Sequence, residues 1–141
     1  MVRTFALVFG IIYLLVGILG FTGLATAPPA GDTHHNIQFG HSYLLGLFPV
    51  NTLHNIVHLI IGLWGLLASR SVGGARLYAK VLAIAYGLLA IMGIIPSDTI
   101  NTTFGLIPIY GHDVWLHALS ALIAAYFGFV ARDDGEPARA S

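Results

Sequence analysis

Two short stretches of the chain carry residues able to hold an ion or move a proton. His54 and His58 lie four positions apart, and Asp113 and His117 repeat that spacing. Four residues is about one helical turn, so each pair shares a helix face. Three imidazoles and a carboxylate are a donor set for Zn, Fe or Cu, with Asp113 either a ligand or the group that orients one. The spacing is moderately specific, because no Glu accompanies the HxxxH as it does on a metalloprotease helix. With no cysteine in the chain, thiolate metal sites, disulfides and a Cys nucleophile are excluded. Nothing in the sequence marks a nucleophile or a phosphate-binding loop, so catalysis has no positive support.

The two stretches are copies. GLFPVNTLHNIVHL at 46–59 aligns without a gap on GLIPIYGHDVWLHA at 105–118, matching Gly46 to Gly105, Pro49 to Pro108 and His58 to His117. His54 then falls on Asp113. A second series pairs Arg3 with Arg76, Ala6 with Ala79, Tyr13 with Tyr86 and Gly20 with Gly93. Self-similarity on this scale fixes the architecture before any single element does. It predicts two repeated helical hairpins, with equivalent residues at equal depth. His58 and His117 then also suit the axial positions of a b-type haem.

Composition sets the environment. With 57% apolar and 9% charged residues and a mean hydropathy of +0.84, the chain is too apolar for an ordinary soluble domain. Six basic residues balanced by six acidic ones argue against nucleic acid as a partner. The expectation is an all-α integral membrane four-helix bundle, one transmembrane domain over 1–141. It is a parallel repeat with a pseudo-twofold along the membrane normal. Helices are predicted at about 4–24, 51–69, 76–95 and 112–130, with a flexible tail at 131–141. Pro49 suits the entrance of the second helix, Asn51 or Thr52 its cap, and Pro96 stops the third. The first segment also resembles a signal peptide, with Arg3 ahead of its apolar run and Ala25-Thr26-Ala27 as a cleavage site. Its match to the third segment favours a retained helix. The polar stretch at 25–42 reads as a loop whose His34, His35 and His41 are solvated.

Small and polar residues mark the inward faces. They are Gly10, Tyr13, Gly17 and Gly20 on the first helix and Asn51, His54, Asn55, His58, Gly62 and Gly65 on the second. Ala83, Tyr86, Ala90 and Gly93 follow on the third, and Asp113, His117, Ser120, Ala124 and Gly128 on the fourth. Tyr13, Tyr86, Asn51 and Asn55 are thus the supporting polar core of the His/Asp cluster. Three functions stay open on these residues. The cluster holds a transition metal or haem, or it is an interhelical hydrogen-bond core in a structural or accessory subunit, or it passes protons or a small solute. The partners implied are the lipid bilayer and either other membrane subunits or further copies of the chain.

At GLFPVNTLHNIVHLIIGLWG and TTFGLIPIYGHDVWLHALSALIAAYFGFVA the chain resembles the bacterial membrane proteins of the domain of unknown function 4383 family. That resemblance runs nearly throughout, from Arg3 to Ala131. It implies a small four-helix protein of the bacterial cell membrane and implies no activity.

Charge sets the expected orientation. Arg3, Arg70, Arg76, Lys80, Arg132 and Arg139 all fall on one side of a four-span, multi-pass arrangement. The positive-inside rule makes that side cytoplasmic, with both termini there. Reporter fusions after Ser71 and after Ser141 are expected to read cytoplasmic, and one after Asp32 exterior. An exterior reading at the C-terminus would refute the arrangement.

Overall fold

The computed structural model describes residues 1–132, so most of the predicted tail lies outside the described residues. The chain is mostly helical. Helix α1 spans Val2–Gly20, α2 Thr52–Ala68, α3 Val72–Ile94 and α4 His112–Ala125, which a π-helical turn extends over Tyr126–Val130. Among the described residues, α1, α3 and α4 with its π turn (His112–Val130) are long and apolar enough to cross a membrane. At 17 residues α2 is shorter, about 25 Å at 1.5 Å per residue, near the lower limit for a span.

A small sheet corrects the all-helical expectation. Strand β1 (Thr26–Ala27) pairs antiparallel with β2 (Ser42–Leu44), and β2 pairs antiparallel with β3 (Phe48–Val50). The β2–β3 hairpin turns at Leu45 and Gly46, both at positive φ, where a glycine carries no steric penalty. Pro49 opens no helix. It lies opposite Tyr43 on the edge strand β3, where a missing N–H breaks no inner ladder. Asn51 then starts α2, its side chain accepting from the His54 amide at 2.9 Å. Helix α3 starts four residues before its predicted Arg76, because Ser71 accepts from the Gly74 amide and caps the turn despite two glycines.

Glycines set the closest helix contacts. A Cβ added to Gly10 would sit 2.8 Å from the Leu66 amide and 2.9 Å from the Gly62 carbonyl, and one on Gly62 would sit 2.6 Å from the Leu14 amide. Helices α1 and α2 therefore touch backbone to backbone. On the other side, a Cβ on Gly93 would press into the Ile109 carbonyl, and one on Gly128 would sit 3.0 Å from Lys80. Rings fill the space between the pairs. Phe5 stacks on Phe127 at 4.8 Å, Trp64 meets Tyr78 edge-on at 5.0 Å, and Tyr13 faces Tyr86 at 5.6 Å.

The outside is apolar. Leu15, Ile60, Leu63, Ile84, Leu88 and Leu122 are each more than half exposed. A shell of this kind exceeds what water tolerates on a monomer and suits a lipid bilayer.

The seam gives a direct test. Gly62→Leu is expected to destabilise the folded chain in detergent by about 1–3 kcal/mol, because bulk there separates two backbones. Gly128→Leu should follow. Leu63→Ala and Phe129→Ala, at 55% and 47% exposure, should cost less. Thermal unfolding that ranks the four in the opposite order would show the inward faces to be misassigned.

Candidate functional site

Helical spacing brings the two motif pairs inward. His54 and His58, one turn apart on α2, have ring centroids 4.5 Å apart, and His54 faces the His117 ring of α4 at 6.4 Å. The His54 Nδ1 lies 3.9 Å from Asp113 Oδ2. One ligand atom from each of His54, Asp113 and His117 lies within 4.8 Å of the others, and all three residues are buried. His58 stands outside this trio and stacks on Tyr13 at 5.5 Å. Tyr86 packs against His117 at 5.0 Å.

Hydrogen bonding leaves part of the cluster unsatisfied. Nδ1 of His54 lies 3.3 Å from the Pro49 carbonyl. A carbonyl only accepts, so that nitrogen carries the proton and Nε2 keeps its lone pair. Among the described residues, Asp113 Oδ2, His117 Nδ1 and His58 Nδ1 are buried with no hydrogen-bond partner. The Tyr13 hydroxyl lies near Tyr86 and Ser120 but outside normal hydrogen-bond geometry. Buried polar groups are rarely left this way, and each costs about 1–3 kcal/mol.

The supporting residues divide. Tyr13 and Tyr86 line the cluster. Asn51 does not: besides capping α2, its Nδ2 donates to the carbonyls of Gln38 at 2.8 Å and Leu106 at 2.6 Å. Asn55 points to the α1 seam, where its amide fills the space beside Gly20.

A second cluster, which no residue spacing marks, centres on Asp32. Its Oδ1 accepts from the His34 amide at 2.8 Å and meets His34 Nδ1 at 2.7 Å. Its Oδ2 meets His41 Nε2 at 2.8 Å, accepts from the Tyr43 hydroxyl at 2.7 Å, and also accepts from the Tyr110 hydroxyl. The His34 ring stacks on Tyr110 at 3.8 Å. His34 and His41 are therefore not solvated, with side chains only 19% and 11% exposed. His35 is exposed, as expected. Asn36 adds bonds across the loops to the Asp98 carbonyl at 3.0 Å and the Thr102 hydroxyl at 2.9 Å. Together these contacts latch the loop after α1 onto the loop before α4.

Burial alone would raise the Asp32 carboxyl. The hydroxyls of Tyr110 and Tyr43, the His34 amide and His41 outweigh it and hold the group far below the usual carboxylate range. Tyr110 moves up, first by burial and then through its bond to the Asp32 carboxylate.

Helices of this length and apolarity, packed around buried histidines and an aspartate, define a small helical membrane protein. The chain belongs to the family described as domain of unknown function DUF4383, whose profile matches residues 3–130. No curated protein and no solved structure matches it.

The latch has a pH signature. A depressed carboxyl stabilises fully above its unfolded pKa, about 3.9, and the effect is lost as pH falls through the lower folded value. Thermal stability at pH 5–8 should therefore carry the whole Asp32 contribution. Asp32→Asn should remove about 1.5–3 kcal/mol across that window. Unfolding midpoints equal to wild type at pH 7 would show that the latch contributes nothing.

Proposed function

We propose that the chain is a four-span protein of the cell membrane that binds one divalent transition-metal ion through His54, Asp113 and His117. The observation that carries this reading is the convergence of their ligand atoms within 4.8 Å while Asp113 Oδ2 and His117 Nδ1 have no hydrogen-bond partner among the described residues. Two imidazoles and a carboxylate form the donor set of Zn²⁺ or Fe²⁺ sites that keep a coordination position open. The Pro49 carbonyl orients His54, as outer-sphere acceptors commonly do for ligating histidines. A compact ion suits the packing better than haem. Tyr13 stacks on His58 and Tyr86 packs on His117, with the two tyrosines 5.6 Å apart, so rings occupy the space a porphyrin needs.

The frame for this site is a single domain of two duplicated hairpins, α1–α2 and α3–α4, with both termini cytoplasmic and the His/Asp cluster toward the outer side. The internal alignment and the one-sided basic residues support that frame. In a second reading the cluster is a structural core. The ring packing of His58 on Tyr13 and His117 on Tyr86 favours it, since such contacts bind helices together with no ion.

Elemental analysis of detergent-purified protein separates the two. Metal binding predicts about one equivalent of Zn, Fe or Cu, or uptake on titration, weakening on acidification because the imidazoles must be neutral. Metal at 100-fold its Kd should then stabilise the wild type by about 2.7 kcal/mol. His117→Ala and Asp113→Asn should lose both metal and stabilisation, and His35→Ala neither. Protein that is free of metal and unresponsive to its addition would leave the structural core.

A further inference from the structure

A cavity of about 350 Å³ adjoins the cluster, within the usual size range of small-molecule pockets, about 300–1,000 Å³. Phe9, Ile12 and Val16 of α1 form one wall, Leu116, Leu119 and Ile123 of α4 the other, and residues of the β2–β3 hairpin close one end. Helix α1 and the π turn meet where Phe5 stacks on Phe127, and the cavity lies between α1 and α4 further along. Ile12, Leu119 and Leu45 on its lining are 47%, 48% and 64% exposed, so its mouth is part of the apolar outer shell. An occupant would enter from lipid rather than from water.

The floor differs from the walls. His58, Asp113, His117 and Ser120 line it, and three of them carry a buried atom with no hydrogen-bond partner among the described residues: His58 Nδ1, Asp113 Oδ2 and His117 Nδ1. His58 is 8% exposed and Asp113 and His117 are each 3% exposed. The set includes acceptors (the carboxylate oxygen and an imidazole lone pair) and a hydroxyl able to donate or accept. Among the described residues no Lys or Arg lines the cavity. An anionic head would face the Asp113 carboxyl in apolar surroundings with no Lys or Arg side chain to offset it.

A smaller cavity, about 200 Å³, opens between α2 and α3 and shares His54, His58, Tyr86 and His117. Neither Asp113 nor Ser120 lines it, so it offers no carboxylate or serine hydroxyl to a head group.

The geometry points to the α1/α4 cavity as a binding site for an uncharged lipid with a hydroxyl-bearing head. The hydroxyl donates to His58 Nδ1, or to Asp113 Oδ2 where no ion holds that oxygen, and accepts from Ser120, and the tail runs out between α1 and α4 into the bilayer. This site goes beyond the metal reading and does not need it, since His58 and Ser120 lie outside the proposed ligand trio. Two sources share the chemistry: a glycerol hydroxyl, as in a diacylglycerol, and a ring hydroxyl, as in an alkylated hydroquinone.

The test is native mass spectrometry and thermal unfolding of the full chain in detergent with four probes. These are dioleoylglycerol, a decyl-chain hydroquinone, oleate and dodecylamine. One or both hydroxyl probes should be retained and raise the unfolding midpoint, and which of them does so identifies the source. Leu119→Trp, which fills the mouth from an exposed position, and Ser120→Ala, which removes the floor hydroxyl, should each lower occupancy at least tenfold. Oleate or dodecylamine bound as well as the hydroxyl probes, no hydroxyl probe bound, or binding undiminished in both variants would each overturn the assignment. Metal content measured on the same samples keeps the two readings apart. Leu119→Trp should keep its metal, and a metal-free wild type that still binds a hydroxyl probe refutes the metal site alone.

Discussion

The Asp113 carboxyl is the group the rest of the core has to accommodate. It is 3% exposed, in the first turn of an apolar helix, with one oxygen lacking a hydrogen-bond partner among the described residues. No Lys or Arg is paired with it among the described salt bridges, and its one charged-type neighbour there is His54. A bare carboxylate in such a place costs several kcal/mol. That cost is met by a proton, by an ion or by a ligand's hydroxyl. The proposed metal and the proposed lipid head are two ways of meeting it, which is why both readings converge on one end of one cavity. They are compatible, because with an ion on the trio the head still has His58 and Ser120 to bond.

What holds the histidines against Asp113 is the glycine seam. Gly10, Gly62 and Gly65 let α1 and α2 touch at backbone distance, and that contact fixes the rotation of α2 about its axis. With Gly62 and Gly65 against α1, His54 and His58 face α4 and the Tyr13–Tyr86 pair. A side chain on the seam would turn or displace α2, and His54 would leave its place beside Asp113. The small residues therefore act on the site without touching it, through the orientation of the helix that carries two of its imidazoles.

The parts of this arrangement governed by helical period were legible in the sequence. His54/His58 and Asp113/His117 share faces because 3.6 residues make a turn, and the glycines mark contact because only they permit it. Asn51 was legible as a cap from its type and position. The β2–β3 hairpin was not, since Tyr43–Val50 is too short to show an alternation and Pro49 reads as well for a helix entrance as for an edge strand. Asn55 shares a stripe with both the seam and the cluster, and the bulk missing at Gly20 leaves room for its amide at the seam. Asp32 was missed for a different reason. Its partner Tyr110 lies 78 positions away in another loop, and contacts between aperiodic segments leave no spacing to detect.

That loop latch bears on how the cluster is reached. Asp32 holds Tyr110 and Tyr43, Asn36 bonds Asp98 and Thr102, and Asn51 bonds Gln38 and Leu106. These bonds tie the two loops to each other and to the first turn of α2, close to the end where His54 and Asp113 lie. A route from water to the cluster at this end of the helices must cross this bonded layer. The routes between helices are bounded by weaker, non-directional contacts among apolar side chains, and both cavities lie there, each reaching His54, His58, Tyr86 and His117. A hydrogen-bonded polar cap and apolar flanks favour entry from the side. The chemistry selected at such an opening is that of a molecule already dissolved in lipid, with a polar group small enough to be desolvated at the cluster.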